Sequence, residues 1–162
     1  MLPLDRRLHA WRADLADRRL EGRVEADRFV AGTPARVRNA AAPLRREPRP
    51  DAPLDTEALH GERLRVFEET VEGWAWVQLD GDGYVGWCPA EALGEAGNEP
   101  THRVAALRTF VFPGPSIKLP PSMLLSMNAA VTVLGTEGPF LRTESGFVWA
   151  THLVALAERA AD

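Results

Sequence analysis

The chain has a single cysteine, Cys88, and any nucleophilic chemistry based on a thiol would have to use it. A reactive thiol needs a neighbouring base to lower its pKa and a third group to orient that base. Cys88 lies between Trp87 and Pro89 at the end of a strand-like run, and no helix N-terminus that would activate it is evident. The sequence therefore favours a structural thiol here over a catalytic one. No catalytic residue is assigned, and a disulfide within the chain is excluded.

The four histidines are His9, His60, His102 and His152. They are unclustered, and no His-x-x-x-His or similar pair occurs. Structural and catalytic metal sites usually combine several cysteine or histidine ligands at short spacings. The sequence therefore predicts neither a metal site nor a cofactor.

Four aromatic residues, Trp74, Trp76, Tyr84 and Trp87, lie within fourteen residues of one another. Strand alternation would place Trp74 and Trp76 on one face, with Val77 opposite. Two interpretations remain open. Part of this set fills a core, or Tyr84 or Trp87 lines a ligand groove, where an apolar body with a polar tip is useful.

The elements around these aromatics are strand-like. Period-two alternation over 63–67 and 74–79 predicts half-buried antiparallel strands. Asp-Gly pairs at 80–83 predict the hairpin turn, and 84–88 predicts a further short strand. The proline-dense stretch 43–53 is expected to form an extended surface loop and not a central strand.

The first part of the chain shows a different pattern. Leu4, Leu8, Trp11 and Leu15 fall on one stripe among charged residues, and Gly22 stands where a helix would stop. The spacing predicts a helical leader within residues 1–28, as one helix or as two turns.

The strand pattern recurs at an offset of 63 to 67 residues, with 131–134, 138–142 and 146–149 repeating the earlier runs. A duplication at that period indicates two copies of one small barrel-sized unit. We expect domains at 29–97 and 98–158, with a tail at 159–162.

Charge is unevenly distributed. Residues 1–50 carry twelve arginines and seven acids, residues 51–100 two arginines and twelve acids, and residues 101–162 five basic and four acidic residues. The acids among the early arginines favour an ion-paired surface. The middle segment, residues 51–100, has a net charge of −10, which argues against a nucleic-acid partner and is compatible with a ligand that carries a cationic group. No apolar stretch is long enough for a membrane span, and no secretory signal is visible. We therefore expect no membrane partner and a cytoplasmic location, or a periplasmic one if the start is misassigned.

The runs GWAWV at 73–77 and DGYVGWCP at 82–89, preceded by Gly61-Glu62, Leu64 and Val66, resemble a bacterial SH3-like domain. The wider chain resembles NlpC-type cell-wall cysteine peptidases with two N-terminal SH3-like domains, similar to dipeptidyl-peptidase VI and related γ-D-glutamyl-L-diamino acid endopeptidases. The stretches that carry this second resemblance are 14–17, 20–24, 54–62, 100–104 and 108–118. The fold class it implies is all-β, with two small SH3-like barrels in tandem after a short helical leader.

The resemblance also implies a role. In such peptidases the first SH3-like domain walls off the cleft and favours peptidoglycan-derived peptides with a free N-terminus. That implies an acceptor for an ammonium group, for which Glu57, Glu62 and Tyr84 are the candidates, with Trp87 beside them as a substrate-binding residue. The alternative is that Glu57 and Glu62 are merely solvated.

The catalytic domain of these peptidases follows the second SH3-like domain and carries an Asp-Cys-Ser-Gly pattern, which this sequence lacks. We therefore expect a substrate-recognition module without its own chemistry, whose partner is an NlpC-type peptidase domain in cis or in trans. The alternatives are a stand-alone adaptor that binds muropeptides or a partner protein, and an enzyme that uses Cys88.

Overall fold

The computed structural model describes residues 4–156, which form short β-strands, turns and three 3-10 turns. This confirms the predicted all-β class. The chain divides into two compact units, Met1–Ala58 with Glu62–Ala96 and Leu59–Gly61 with Gly97–Asp162. The predicted tail at 159–162 lies outside the described residues. Within residues 4–156, no helix is both long enough and apolar enough to cross a bilayer.

The strands of the first unit are β1 (Leu15–Asp17), β2 (Arg28–Val30), β3 (Thr33–Val37), β4 (Ala41–Arg45), β5 (Leu54–Leu59), β6 (Arg63–Glu69), β7 (Trp74–Leu79), β8 (Val85–Pro89) and β9 (Leu93–Glu95). Seven of them form one sheet of order β5-β4-β8-β7-β6-β3-β9, and β1 pairs with β2 in a separate parallel sheet. The strands β6, β7 and β8 form an antiparallel meander, and a 3-10 turn at Ala90–Ala92 connects β8 to β9. The alternation over 74–79 thus gives the observed bounds of β7, and β6 and β8 lie within two residues of their predicted bounds.

Two clusters of buried side chains lie on opposite faces of this meander. Val77, Leu79 and Cys88 belong to the first cluster, which also includes Val37, Leu44 and Leu64. Trp76, Val85 and Trp87 belong to the second, with Phe67 and two residues from the start of the chain, Ala10 and Leu15. Trp74 packs against the second cluster, so the predicted placement of Trp74 and Trp76 on one face, opposite Val77, is confirmed.

The helical leader is a correction. From residue 4 to residue 28 the described chain forms no α-helix. Its regular elements are β1, the first residue of β2 and a 3-10 turn at Arg18–Leu20, in which the Arg19 N–H donates to the Asp17 side chain. Packing explains the difference, because Ala10 is buried and Leu8 is 41% exposed, the reverse of the predicted stripe. Burial against Trp76 and Trp87 outweighs a weak local helical preference.

A second correction concerns the proline-dense stretch 43–53. Its first three residues belong to β4, which lies between β5 and β8 in the sheet, and only the part after Arg45 is a loop. Ala42 and Leu44 are fully buried, whereas Pro43 between them is half-buried. Strand alternation therefore turns Pro43 away from the core that its neighbours fill.

The second unit contains three small sheets, of orders β13-β10-β17, β11-β12 and β14-β15-β16. Its strands are β10 (His102–Val104), β11 (Arg108–Val111), β12 (Met123–Ser126), β13 (Ala130–Val131), β14 (Val133–Glu137), β15 (Phe140–Thr143), β16 (Gly146–Trp149) and β17 (Leu153–Ala155). A meander of β14, β15 and β16 leads through a 3-10 turn at Ala150–His152 into β17. The first unit has the same succession from β6 to β9, which is what an internal duplication produces.

Aromatic packing and hydrogen bonds made by residues 59–61 stabilise the second unit. Phe140 packs edge-on against Phe112 at 6.0 Å and against Trp149 at 5.2 Å between ring centroids. Residues 59–61 belong to this unit, where the His60 ring is hydrogen-bonded to the Ser145 hydroxyl at 2.7 Å. The His60 carbonyl accepts the Ala130 N–H at 2.8 Å.

Candidate functional site

Two tryptophans of the first unit form the floor of a concave surface. Trp76 and Trp87 are direct cross-strand partners on β7 and β8, and their ring centroids are 6.2 Å apart. Phe67 packs edge-on against Trp76 at 5.8 Å. The two tryptophans are only 4% and 8% exposed, so they contribute core packing as well as the apolar lining.

Arg12, from the start of the chain, covers both rings. Its guanidinium carbon lies 4.5 Å from the Trp76 centroid and 5.3 Å from that of Trp87. Its two Nη atoms donate to Glu68 at 2.6 Å and to Asp14 at 2.7 Å. Burial alone lowers the pKa of Arg12, but these two carboxylates outweigh it, so the pKa lies above its ordinary value. Arg12 is therefore a fully engaged cation that ties the leader to β6 and β7.

The concave surface is an open pocket of about 500 Å³, which we call the arginine–tryptophan pocket. Its lining residues are Arg6, Arg7, Trp11, Arg12, Arg46, Asp55, Trp76, Val85, Gly86 and Trp87. Pockets of this size, with an apolar floor and a few polar groups at the rim, are typical of small-molecule and peptide sites. The leader supplies four of the ten lining residues, because its turn at residues 6–8 and the irregular chain up to Arg12 pack against the sheet.

The rim is dominated by arginine. The Arg46 Nε donates to Asp55 at 2.8 Å, and the Arg7 guanidinium pairs with Asp5 at 3.2 Å. Arg6 stacks over Trp11, with 4.4 Å between the guanidinium carbon and the ring centroid. The predicted ion pairing of the early arginines is present, but several pairs join residues two apart, as an extended chain and not a helix requires.

Gly86 lies on β8 at the point where this strand comes close to β4. A Cβ atom at Gly86 would lie 3.1 Å from the Arg45 carbonyl oxygen and 3.1 Å from the Leu44 Cβ. This close approach of β8 to β4 leaves little room for a side chain. Gly86 itself belongs to the pocket lining, together with Arg46 and Trp87.

Of the four predicted binding residues, the pocket contains Trp87. Glu57 is exposed on β5, Glu62 is half-buried just before β6, and Tyr84 is half-buried against the first core cluster. These three lie outside the lining. Tyr84 is nonetheless next to the rim, because the N–H of its neighbour Val85 donates to the Arg7 carbonyl at 2.7 Å.

Of the ten lining residues, sequence reasoning found only Trp87; it missed the four arginines, Asp55, Trp11, Trp76, Val85 and Gly86. The arginines were interpreted as an ion-paired surface, which is correct for Arg7 and Arg46 but hides their position at a rim. Trp11 was placed on a helical stripe. The available signal was the concentration of arginine before residue 20, together with Trp11, next to the acidic segment 51–100.

Cys88 is not placed for nucleophilic chemistry. It is fully buried in the first core cluster, and burial raises the pKa of its thiol to about 12. Catalytic cysteines have the opposite shift, towards the thiolate. The histidine rings are hydrogen-bonded elsewhere: His9 to the Asp5 carbonyl, His60 to Ser145, His102 to Thr101 and His152 to Thr109. Within residues 4–156, no three His, Cys, Asp or Glu side chains are grouped as a metal site requires.

Part of the first unit is similar to a known domain family, and the chain is similar in fold to a solved structure. Residues 44–93 match the family model of the bacterial dipeptidyl-peptidase SH3 domain. No curated protein matches the chain. A crystal structure of an NlpC/P60 family protein from Bacillus cereus matches with a TM-score of 0.61 at 18% identity, over 76% of this chain and 56% of that one.

NlpC2 and NlpC1 from Trichomonas vaginalis match at TM-scores of 0.35, with 14% and 16% identity. The alignments cover 78% and 77% of this chain, and 49% and 46% of those proteins. The chain thus spans little more than half the length of the Bacillus cereus protein. The resemblance to the SH3 domains of NlpC-type peptidases is confirmed: residues 44–93 match the dipeptidyl-peptidase SH3 domain, and the chain shares its fold with an NlpC/P60 family protein.

Proposed function

We propose that this chain is the substrate-recognition module of an NlpC-type cysteine peptidase that acts on peptidoglycan stem peptides. Bond cleavage is supplied by a peptidase domain, in cis or in trans. The family match over residues 44–93 and the fold shared with an NlpC/P60 protein support the association with a peptidase.

The arginine–tryptophan pocket is the observation that carries the recognition role. Six of its ten lining residues, Arg46, Asp55, Trp76, Val85, Gly86 and Trp87, lie inside the matched SH3 segment. A pocket with an apolar floor and charged groups of both signs at its rim suits a short peptide with ionised ends. Cys88 is buried in the core, so recognition and not thiol chemistry is what this unit offers.

The free N-terminus of the peptide is read, in this proposal, by Glu57, Glu62 and Tyr84. Carboxylates and a phenolic hydroxyl accept hydrogen bonds from an ammonium group. Tyr84 supports the assignment because it adjoins the pocket: its neighbour Val85 lines the pocket and donates its N–H to the Arg7 carbonyl at 2.7 Å. The net charge of −10 over residues 51–100 favours a cationic group in this region.

The test is a titration of the full chain, labelled with ¹⁵N, with L-Ala-γ-D-Glu-diaminopimelate and with its N-acetylated form. We expect the free-amine peptide to shift the indole resonances of Trp76 and Trp87 and to bind about tenfold more tightly than the acetylated one. Glu57→Gln, Glu62→Gln and Tyr84→Phe should each reduce that preference. Glu137→Gln, an exposed acid of the second unit, should leave it unchanged.

The outcomes are distinct. If neither peptide shifts any pocket resonance at millimolar concentration, the recognition role is wrong. If both peptides bind equally, the chain recognises the peptide but the assignment of Glu57, Glu62 and Tyr84 to its amine is wrong.

A further inference from the structure

We infer that the arginine–tryptophan pocket binds a carboxylate of its ligand, through Arg6 and Arg46. Four guanidinium groups line this pocket, together with a single carboxylate, that of Asp55. Three of these arginines pair with carboxylates. Arg7 pairs with Asp5, Arg12 with both Asp14 and Glu68, and Arg46 with Asp55. Arg6 pairs with no carboxylate among residues 4–156, and its guanidinium stacks on the face of Trp11.

Trp11 holds Arg6 in place without using its hydrogen-bond donors. The guanidinium carbon lies 4.4 Å from the indole centroid, which is the geometry of a cation–π contact. The N–H groups lie in the guanidinium plane, so a guanidinium that stacks on a ring does not use them in a bond to that ring. A planar fork of donors matches the two oxygens of a carboxylate, which is why arginine forms bidentate pairs with it.

Arg46 is oriented by a buried partner in a similar way. Its Nε donates to an Asp55 oxygen at 2.8 Å, and the Asp55 side chain is only 6% exposed whereas that of Arg46 is 57% exposed. The fixed end of the guanidinium is therefore the Nε end. Within the described chain no side chain occupies its two Nη atoms, which are the donors available to a ligand.

The floor determines what the carboxylate is attached to. Trp76, Val85 and Trp87 line the pocket beside the arginines and supply its apolar surface. The pocket therefore suits a ligand that carries a carboxylate on a compact, partly apolar body. Resting on the proposed function, the ligand is a γ-linked D-glutamyl peptide, whose α-carboxylate is free because the chain continues through the side chain.

The experiment compares two peptides that differ only at that carboxylate, L-Ala-γ-D-Glu-diaminopimelate and the corresponding α-amide, in which D-isoglutamine replaces D-glutamate. Binding to the full chain is followed by calorimetry and by tryptophan fluorescence. We expect the amide to bind about tenfold more weakly to the unmodified protein. Arg6→Gln and Arg46→Gln should weaken binding of the acid and bring the ratio between the peptides close to one.

Arg18→Gln is the matched control, since Arg18 is an exposed arginine of the leader outside the pocket. It should leave the ratio unchanged. Arg6 is exposed and pairs with no carboxylate among residues 4–156, so Arg6→Gln is expected to keep the melting temperature of the unmodified protein. Arg46→Gln should lower it, because the Asp55 side chain, only 6% exposed, loses its charged partner. For this variant the acid-to-amide ratio is therefore the readout, and not the affinity alone.

Two results would overturn the inference. One is equal binding of acid and amide; the other is a weakened affinity in both arginine variants with the acid-to-amide ratio retained, which would mean a structural role. In either case the peptide still binds, so the proposed function survives. Absence of binding by both peptides would remove the proposed function together with this inference.

Discussion

The guanidinium of Arg12 lies 4.5 Å from the centre of the Trp76 ring, so a residue of the leader caps a tryptophan in the middle of the sheet. The same guanidinium reaches Trp87 and two carboxylates, Asp14 and Glu68. One side chain therefore joins the start of the chain to three strands, β6, β7 and β8. The leader is an integral part of the first unit and forms one wall of its pocket.

Replacing Arg12 should measure the strength of this connection. We expect Arg12→Ala to lower the free energy of unfolding by about 1 to 2 kcal/mol, because a cation–π contact and two partly exposed ion pairs are lost. Arg12→Lys should recover only part of this, since an ammonium cannot stack or form the same forked bonds. Urea unfolding followed by tryptophan fluorescence measures both. An equal loss in Arg18→Ala, an exposed control, would contradict the assignment.

The burial of Leu15 and the exposure of Leu8 distinguish the observed non-helical leader from an amphipathic helix. Leu15 is 1% exposed in the cluster with Trp76 and Trp87, whereas Leu8 is 41% exposed. Leu15→Ala is expected to cost about 2 to 5 kcal/mol of unfolding free energy, as buried leucine truncations do. Leu8→Ala should change it by less than about 0.5 kcal/mol. Comparable losses in the two variants would restore the amphipathic helix, which buries both residues on one stripe.

Gly61 is expected to resist substitution for two separate reasons. Its φ is +83°, and a Cβ atom there would lie 2.1 Å from the carbonyl oxygen of Ala130. Gly73 has a φ of +95° but nothing within 4 Å of the same position, so Gly73→Ala measures the backbone cost alone.

We expect Gly73→Ala to cost about 1 kcal/mol. Gly61→Ala should cost clearly more, because a backbone oxygen must move in addition. The melting temperatures of the two variants, measured by calorimetry, give the comparison, and equal values would show that the loop at Gly61 relaxes without strain.

The burial of Cys88 predicts an alkaline loss of stability. Burial raises the pKa of the thiol to about 12 from an ordinary value near 9, so the folded protein holds this proton more tightly than the unfolded chain. The contribution is therefore fully present below about pH 9 and declines as the pH rises towards 12, by about 1.4 kcal/mol per pH unit. Cys88→Ala lacks this titration.

The measurement is the difference in unfolding free energy between the unmodified protein and Cys88→Ala at pH 7, 9 and 10.5. The difference should shrink or change sign between pH 9 and 10.5. A constant difference over this range would show that the thiol ionises in the folded state as easily as in the unfolded one.

The sequence predicts the meander of the first unit well and the leader poorly, for one physical reason. In β6 and β7 the alternation of residue types identifies the strands and assigns their side chains to the two faces, although β7 is buried on both faces because a core cluster lies on each side of it. In the leader, the spacing of Leu4, Leu8, Trp11 and Leu15 reflects no local preference. Contacts with Trp76 and Trp87, more than sixty residues away in sequence, decide which of these side chains are buried.

The lining residues of the pocket also divide into some that the sequence could predict and others that it could not. Trp87 could be found from its strand, since a residue with a regular period has a predictable face. Arg6 and Arg46 could not, because their position depends on where an irregular segment and a loop cross the sheet. The ion pair between Arg46 and Asp55 joins residues nine apart with no regular element between them, so no periodic pattern announces it.

The single thiol of the chain also provides a kinetic probe of the first unit. Because Cys88 is fully buried in the core of that unit and the second unit has no cysteine, a thiol reagent can react only after the first unit opens. The labelling rate therefore reports the opening of one unit in the intact chain, without a fluorophore or an engineered residue. A ligand that binds the arginine–tryptophan pocket should slow that labelling in proportion to its occupancy.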